Sequence, residues 1–265
     1  MSSVMVARIK QKRIAEIISK GMRLDGRDIT EYREVKLEMG VVERAEGSAH
    51  VHLGKTEVMV GIKIELGAPY ADAPEQGVLT VNTELVPLAS PSFEPGPPNE
   101  NAIEIARVVD RGVRESKAIA LEKLCAVPGK KVFVVFVDVY VLNHDGNLID
   151  ASALAALAAL LNTKMRKYAV KDEGVKMKSG YTQLPVANHP IAVTLAKISD
   201  KLVVDPSLEE EQIMDARLTI TTGKDGKVCA VQKGGYGYFT EEQILEAVII
   251  AKEKAKELRK LVVKE

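Results

Sequence analysis

The sequence predicts a two-lobed α+β protein, and three observations support this fold class. Hydrophobic residues make up 46% of the 265 positions, which is enough for one large domain or two small ones with a shared interface. Strand-like segments, recognised by alternation of apolar and polar residues, occur in both halves of the chain. In each half, helical segments that can pack on these strands follow them.

The first half begins with a helix and continues with strands. Residues 5–20 carry apolar side chains at helical intervals, and Gly21 is a typical helix stop. Residues 47–66 alternate with period two and are interrupted at Gly54, which predicts a β-hairpin. Residues 78–86 continue the strand pattern.

The middle of the chain alternates between irregular, strand-like and helical segments. Residues 87–98 contain five prolines, which predicts an ordered loop without regular structure. A nearly continuous β-branched and aromatic run at 131–142 predicts a strand buried on both faces. Segment 150–162 is rich in alanine and leucine and apolar nearly all round, so we expect an interior helix. Residues 164–180 are basic, polar and flanked by glycine, which favours a linker.

The second half repeats the order of strands followed by a helix. Residues 240–264 predict a long amphipathic helix. The turn GKDGK joins the last two predicted strands into a hairpin. The predicted strands cover residues 191–198, 202–205, 216–222 and 228–232.

Charge and composition exclude several functional classes. Lysine plus arginine equals aspartate plus glutamate, at 37 each, so any surface that binds nucleic acid must be local. Aromatic residues are 4% of the chain and tryptophan is absent, which argues against base-stacking platforms. No segment approaches the roughly 20 apolar residues of a membrane span, and the charged N-terminus lacks a signal-peptide core. We therefore expect a soluble, cytoplasmic protein whose cysteines, Cys125 and Cys229, are buried free thiols.

The segment ENAIEIARVVDRGVRES predicts a helix with a stripe of three arginines, Arg107, Arg111 and Arg114, opposite an apolar face. One interpretation is intrahelical salt bridging, with Glu104 near Arg107 and Glu115 near Arg111. The other is an anion site, because the planar guanidinium group suits phosphate. Spacing alone supports the two interpretations equally.

Three further motifs favour ordinary structure over a ligand site. LGKT at 53–56 lacks the spacing of a phosphate loop and precedes a strand, so a hairpin turn is preferred. GGYG at 234–237 lacks the context of a nucleotide fingerprint and predicts a turn. His50 and His52 share one side of a strand, but no further cysteine or histidine completes a metal shell. We therefore expect an exposed strand pair and no metal.

Two carboxylates, Asp205 and Glu211, follow a predicted strand in the segment VVDPSLEEEQIMD. An acid catalyst could occupy such a position. A solvated acidic loop or helix start is favoured from the sequence alone, because runs of charge usually face water.

Five segments resemble, in order and spacing, the RNase PH family: MRLDGRDITEYR, GSAHVHLGKTEVMVGIK, IARVVDRGVRES, DVYVLNHDGNLIDASALAAL and LVVDPSLEEE. The resemblance covers residues 22–260 and implies the two-lobed RNase PH fold, with a first lobe like domain 2 of ribosomal protein S5 and a second α/β lobe. It implies lobes at 30–168 and 190–265, a linker at 169–189 and a helical extension at 1–29. Family members form six-membered rings, and active ones degrade RNA from the 3′ end with phosphate as the nucleophile.

Within the family, the segments FEPGPPNENAIEIARVVDR and LVVDPSLEEE resemble the non-catalytic branch of archaeal exosomes, and departures from the active pattern support this. Active relatives carry arginine near the position of Asn101 and a hydroxyl–arginine pair near Leu148 and Ile149. Phosphate needs donors that these side chains do not provide, so the resemblance implies a lost phosphate site. Asp205 and Glu211 match the family's active-site carboxylates, retained here as remnants or as acids that line a channel.

The resemblance also implies a role for the arginine stripe. Arg107 and Arg111 match positions that contact the RNA backbone near a neighbouring subunit's active site, and Arg114 joins this RNA-binding set or supports the interface. The implied partners are a catalytic RNase PH-like subunit in a hexamer of three heterodimers, trimeric RNA-binding cap subunits and single-stranded RNA. No cofactor and no catalytic residue is implied. The alternatives are an active homohexameric RNase and a small-molecule kinase, the latter disfavoured because no glycine-rich phosphate loop is present.

Overall fold

The helices of the protein lie at its beginning, at its end and between groups of strands. The structure, a computed structural model, describes residues 2–171 and 174–263, and side-chain surroundings from residue 11 onward within this range. A short 3₁₀ helix spans Leu121–Leu124. The α-helices of the described part are α1 (Ser2–Ser19), α2 (Glu100–Glu115), α3 (Leu148–Asn162), α4 (Leu208–Glu211) and α5 (Glu241–Val262).

The strands form two large sheets and a separate hairpin. The first sheet has the order β1-β2-β3-β6-β4, with β5 also on β6, and only the β4–β6 pair is parallel. The second sheet is antiparallel with the order β10-β9-β11-β12, and β7 pairs with β8. The strands of the first sheet are β1 (Val35–Met39), β2 (Gly47–Leu53), β3 (Thr56–Gly67), β4 (Val78–Leu85), β5 (Cys125–Val127) and β6 (Lys131–Asn143). The others are β7 (Lys164–Lys171), β8 (Gly174–Gln183), β9 (Ile191–Ile198), β10 (Lys201–Val204), β11 (Ala216–Thr222) and β12 (Val228–Gly235).

Helix α3 lies at the centre of the molecule, in contact with β2 and β3 of the first sheet and with β9 of the second. Its apolar residues are buried around nearly the whole circumference, so the prediction of an interior helix is confirmed. Close packing requires Gly47 on β2, where a Cβ atom would lie 2.6 Å from the Ala159 carbonyl oxygen. Leu157 and Leu160 are fully buried, and truncating either to alanine is expected to cost about 2–5 kcal/mol.

Most of the predicted elements are present. The first helix ends before Gly21, whose φ is +77°, and Gly54, with φ +59°, turns the chain between β2 and β3. Segment 87–98 is irregular, and the strands and helix of the second half lie where they are expected. Cys125 and Cys229 are free but only half-buried. No helix of the described residues has both the length and the apolarity to cross a membrane.

Strand β6 corrects the prediction of a strand buried on both faces. Val135, Val137 and Val139 are fully or almost fully buried, whereas Tyr140 on the opposite face is 38% exposed. Helices α2 and α3 pack against one face of this sheet, so the β-branched run gains full burial on that face only.

The segment expected to be a linker is largely a β-hairpin. Strands β7 and β8 pair from Lys164–Gln183 to Lys171–Gly174. Most side chains of β8 are exposed, so the hairpin has little of the apolar alternation by which strands are recognised in a sequence. The segment interpreted as a linker therefore contains two paired strands.

Candidate nucleic-acid interface

Helix α2 presents an apolar face to the core and an arginine-bearing face outward. It begins after Asn99, whose side-chain oxygen accepts a hydrogen bond of 3.0 Å from the Ala102 amide. Ile105, Val109 and Val113 are buried, which confirms the predicted apolar face. The arginine side chains therefore project away from the core.

The three arginines of the stripe line one shallow depression of about 350 Å³ between α2 and β4. Arg107 is exposed and forms no hydrogen bond or ion pair with the described residues. Arg111 donates a hydrogen bond of 3.0 Å to the neutral side-chain oxygen of Gln232 on β12. Neither guanidinium group is therefore engaged in an ion pair with the described residues, although Asp110 and Glu115 line the same depression.

Arg114 differs from the other two arginines because its charge is paired. It donates hydrogen bonds of 2.7 and 3.1 Å to the Asp110 carboxylate and one of 3.1 Å to the Leu79 carbonyl oxygen. The hydrogen bonds to Asp110 raise the pKa of Arg114. A phosphate would have to compete with Asp110 for this guanidinium group.

The two intrahelical salt bridges considered from the sequence do not form. Glu104 instead pairs with Arg217 on β11, and no ion pair joins Glu115 to Arg111 in the described structure. The Asp110–Arg114 pair is the salt bridge within α2 that the described residues make. Salt bridging therefore does not account for Arg107 and Arg111.

The residues interpreted as a lost phosphate site meet at a small pocket of about 120 Å³ at the start of α3. Leu148 and Ile149 are 8% and 5% exposed, and they contribute apolar surface. The remaining walls include a phenylalanine ring, one amide, one imidazole, two acids and one arginine. The polar and aromatic lining residues are Phe93, Asn101, Glu104, His144, Glu211 and Arg217.

The charges around this pocket do not favour an anion. Arg217 already pairs with Glu104. Glu211 accepts a hydrogen bond of 2.9 Å from the Asn147 amide, and burial raises its pKa to about 7. His144 stacks on Phe93 with ring centroids 5.4 Å apart, and burial lowers the pKa of the imidazole. The pocket thus offers one compensated cation beside two carboxyl groups.

Asp205 lies deep in the protein and does not share this pocket. Its carboxylate is fully buried and accepts hydrogen bonds from Arg27, Arg33 and Asn147 at 2.7–2.9 Å. Its φ of +50° is a conformation that aspartate tolerates better than most residues. The interpretation of Asp205 as an acid that lines a channel is therefore wrong, whereas Glu211 does border a cavity.

Two family models match the chain. The model of the 3′ exoribonuclease family, domain 1, covers residues 31–166, and that of domain 2 covers residues 188–254. The chain belongs to the RNase PH family of 3′ exoribonucleases. Most of hairpin β7–β8 falls between the two RNase PH domains.

Relatives in the RNase PH family match this chain over nearly their full length. It is 54% identical over 261 residues to the exosome complex component Rrp42 of Thermococcus kodakarensis, covering 98% of this chain and 96% of that protein. It is 51% identical over 259 residues to the exosome complex component Rrp42 of Methanopyrus kandleri, covering 97% of each.

A solved structure is similar at the level of the whole fold. A chain of the Archaeoglobus fulgidus exosome with RNA bound to the active site has a TM-score of 0.88 and 48% identity. The match covers 97% of this chain and 98% of that chain. The RNase PH fold predicted from the sequence is confirmed.

Sequence reasoning missed the structural role of the arginines in MRLDGRDITEYR, the loop between α1 and β1. Arg23 is buried and donates hydrogen bonds of 2.9 and 2.5 Å to Glu210, 187 positions away in sequence. Arg27 and Arg33 both bind Asp205. The three closely spaced arginines could have suggested a structural role, but no residue near them in sequence indicates that Asp205 and Glu210 are their partners. In this RNase PH-family chain, the loop is anchored to the second lobe.

Asp150 was likewise missed as an organising residue. Its carboxylate, in the first turn of α3, accepts hydrogen bonds of 2.6–2.9 Å from Tyr32, Asn147 and Thr194. Complete burial raises its pKa to about 6. Since Thr194 belongs to β9, this carboxylate fixes the start of α3 against the second sheet.

Both glycine motifs that could suggest nucleotide binding lie at turns. LGKT forms the end of β2, the tight turn and the start of β3, and no helix follows it. GGYG spans the end of β12 and the bend after it. Neither has the strand-to-helix geometry that holds a phosphate.

Proposed function

We propose that the chain is a non-catalytic, RNA-binding and structural subunit of an archaeal exosome core, a ring that degrades RNA from the 3′ end by phosphorolysis. One observation carries the non-catalytic assignment: the pocket at the start of α3 has no free cation. The names of the relatives and the matched exosome structure support membership of the complex.

The pocket chemistry opposes phosphate as a nucleophile. An inorganic phosphate ion carries nearly two negative charges and is bound by several charge-assisted hydrogen bonds. Here it would meet the apolar side chains of Leu148 and Ile149, a neutral Asn101 and the carboxyl group of Glu211. The charge of Arg217, the one arginine that lines the pocket, is already paired with Glu104, so a phosphate there would compete with that carboxylate.

The arginine stripe supplies the RNA-binding function. Among the described residues, Arg107 has no hydrogen-bond or ion-pair partner and Arg111 contacts only the neutral Gln232 amide, so both can donate to phosphodiester oxygens without breaking an ion pair. Contacts to the phosphodiester backbone read no bases. Arg114 is paired with Asp110, so it contributes less to RNA binding and more to the stability of the local fold.

The proposed partners follow from the ring architecture. A catalytic RNase PH-like subunit alternates with this chain as three heterodimers, and its active site receives the RNA that α2 helps to hold. Trimeric RNA-binding cap subunits sit on one face of the ring. The assembly acts in the cytoplasm, on single-stranded RNA.

The deciding experiment compares the isolated chain with the reconstituted ring. The pure chain, incubated with single-stranded RNA and phosphate, should release no nucleoside diphosphates, and adding the catalytic subunit should start phosphate-dependent degradation. A reaction without phosphate is the control for contaminating hydrolytic RNases. Phosphorolysis by the isolated chain, migrating as a hexamer, would instead establish the active homohexamer.

A further inference from the structure

Three side chains on hairpin β2–β3 point to a metal site that the proposed function does not use. His50 and His52 lie two residues apart on β2 and therefore share one face of the sheet. Glu57 on β3 is the register partner of His52. Among the described residues, these form the one group of three histidine, cysteine or acidic side chains arranged for a single ion, with all ligand atoms within 4.8 Å of one another.

The three groups are held close together before any ion binds. Nε2 of His50 lies 2.8 Å from Oε1 of Glu57, and the imidazole centroids of His50 and His52 are 4.4 Å apart. The side chains of His50 and Glu57 are 16% and 31% exposed, so the group is partly shielded yet reachable from solvent. Val51 and Leu53 point to the opposite face and are buried, which fixes the backbone of β2.

The donor set selects the kind of ion. Two imidazole nitrogens and one carboxylate oxygen suit Zn²⁺ and neighbouring transition metals, whereas Mg²⁺ and Ca²⁺ prefer oxygen ligands throughout. In a tetrahedral zinc site, bonds of about 2.0–2.2 Å place the donor atoms roughly 3.4 Å apart. The widest pair of ligand atoms needs to approach by about 1.4 Å at most, and Nε2 of His50 and Oε1 of Glu57 need to separate by about 0.6 Å, changes that side-chain rotation supplies.

We propose that His50, His52 and Glu57 form a binding site for a zinc-class divalent transition metal, with solvent in the fourth position. The ion takes the place of any proton that Nε2 of His50 shares with Glu57, and this proton moves to the other ring nitrogen of a neutral imidazole or leaves an imidazolium for solvent. From the sequence we expected no metal, because no further histidine or cysteine accompanies the pair. The third ligand is a carboxylate delivered across the hairpin, at a position set by strand register.

The bound ion links β2 to β3, which lie inside the first sheet. Since the site exists only in the folded protein, metal binding should raise the melting temperature in a concentration-dependent way. A simple His50–Glu57 hydrogen bond predicts no such dependence. This difference gives a readout that does not involve RNA degradation.

The test uses the full chain without a histidine tag. Equilibrium dialysis with Zn²⁺ and metal analysis should give one ion per chain, and Co²⁺ should show the visible absorption of tetrahedral coordination. His52→Ala and Glu57→Gln should each weaken binding by more than about 10-fold, since even outer-shell partners of a metal ligand are worth about 10–100-fold. His189→Ala removes a histidine outside the group and is the matched control.

Each result supports or overturns the site. Loss of binding and of the melting-temperature shift in both ligand variants, with the control unchanged, supports it. Circular dichroism checks the fold of every variant, and His52→Gln replaces His52→Ala if the latter is misfolded. Absence of binding by the wild type overturns the site, as does binding that survives Glu57→Gln or that is lost equally in His189→Ala.

Discussion

Replacing Arg107 and Arg111 with alanine tests whether the arginine stripe holds RNA. The substitutions remove two positive charges from the outer face of α2 and leave its buried residues unchanged. Arg107 has no partner among the described residues and Arg111 has only Gln232, so neither change leaves a buried acid unpaired. We expect the double variant to fold and to assemble with its catalytic partner as the wild type does.

The magnitude follows from counting the available charges. Each phosphate contact on a single strand contributes about −0.7 to the slope of log affinity against log salt concentration. Because neither guanidinium group is in an ion pair with the described residues, their removal should make the slope shallower by about 1.4 if each contacts one phosphate. Between about 50 and 200 mM salt, the affinity deficit of the variant should therefore shrink by about sevenfold.

The assay is a titration of single-stranded RNA with assembled rings at several salt concentrations, with light scattering to verify assembly. Arg114→Ala is the internal comparison, and its slope should change by less than about 0.7 because Asp110 already neutralises that charge. Arg44→Ala removes an exposed charge near β1 and β2, at the sheet edge opposite β4 and α2, and should change nothing. Equal affinities and slopes for wild type and double variant would refute the reasoning.

Three further predictions concern stability and assembly. The folded-state pKa of Glu211 is raised from 4.5 to about 7, so its protonated form favours folding and stability should fall as pH rises through this interval. Glu211→Gln should remove this pH dependence and raise the free energy of unfolding at pH 8, measured by urea titration, by roughly 2–3 kcal/mol. Parallel pH profiles for the wild type and the variant would contradict this prediction. Arg23→Met leaves the buried Glu210 carboxylate without its ion-pair partner and should lower the free energy of unfolding by about 3–5 kcal/mol. Arg13→Met, at an exposed position of α1, should leave it unchanged, and an equal loss in both variants would contradict the prediction. Light scattering should show a hexamer only when the catalytic subunit is present, and a hexamer of the chain alone would oppose the heteromeric ring.

The parts of the fold that were predictable from the sequence are those in which one face of an element is apolar. The arginines of α2 could be placed because Ile105, Val109 and Val113 define the buried side of a 3.6-residue repeat. Hairpin β7–β8 could not be predicted, because strands that are exposed on both faces need no alternation of apolar and polar residues. The burial of strand β6 was overestimated, because β-branched residues also occur on its second face, which is only partly buried.

The candidate site was predictable only where its members are neighbours in sequence. The pocket residues Leu148 and Ile149 were recognised as a pair because the family resemblance implies a hydroxyl–arginine pair at this place beside the alanine-rich helix. The contact of Glu104 with Arg217 spans 113 positions and depends on how the second sheet packs against α2. Asp205 shows the same limit, because its arginine partners lie 172 and 178 positions earlier and bury a carboxylate expected to be solvated.

The central position of α3 makes the two RNase PH domains a single folding unit. Its residues belong to a core that continues from the first sheet into the second, and Asp150 ties its first turn to Thr194. A chain cut between residues 166 and 188 would leave α3 without its contacts to β9 and α5. The first fragment would then expose the apolar side chains of α3 that face β9, so we expect it to be less stable alone than within the full chain.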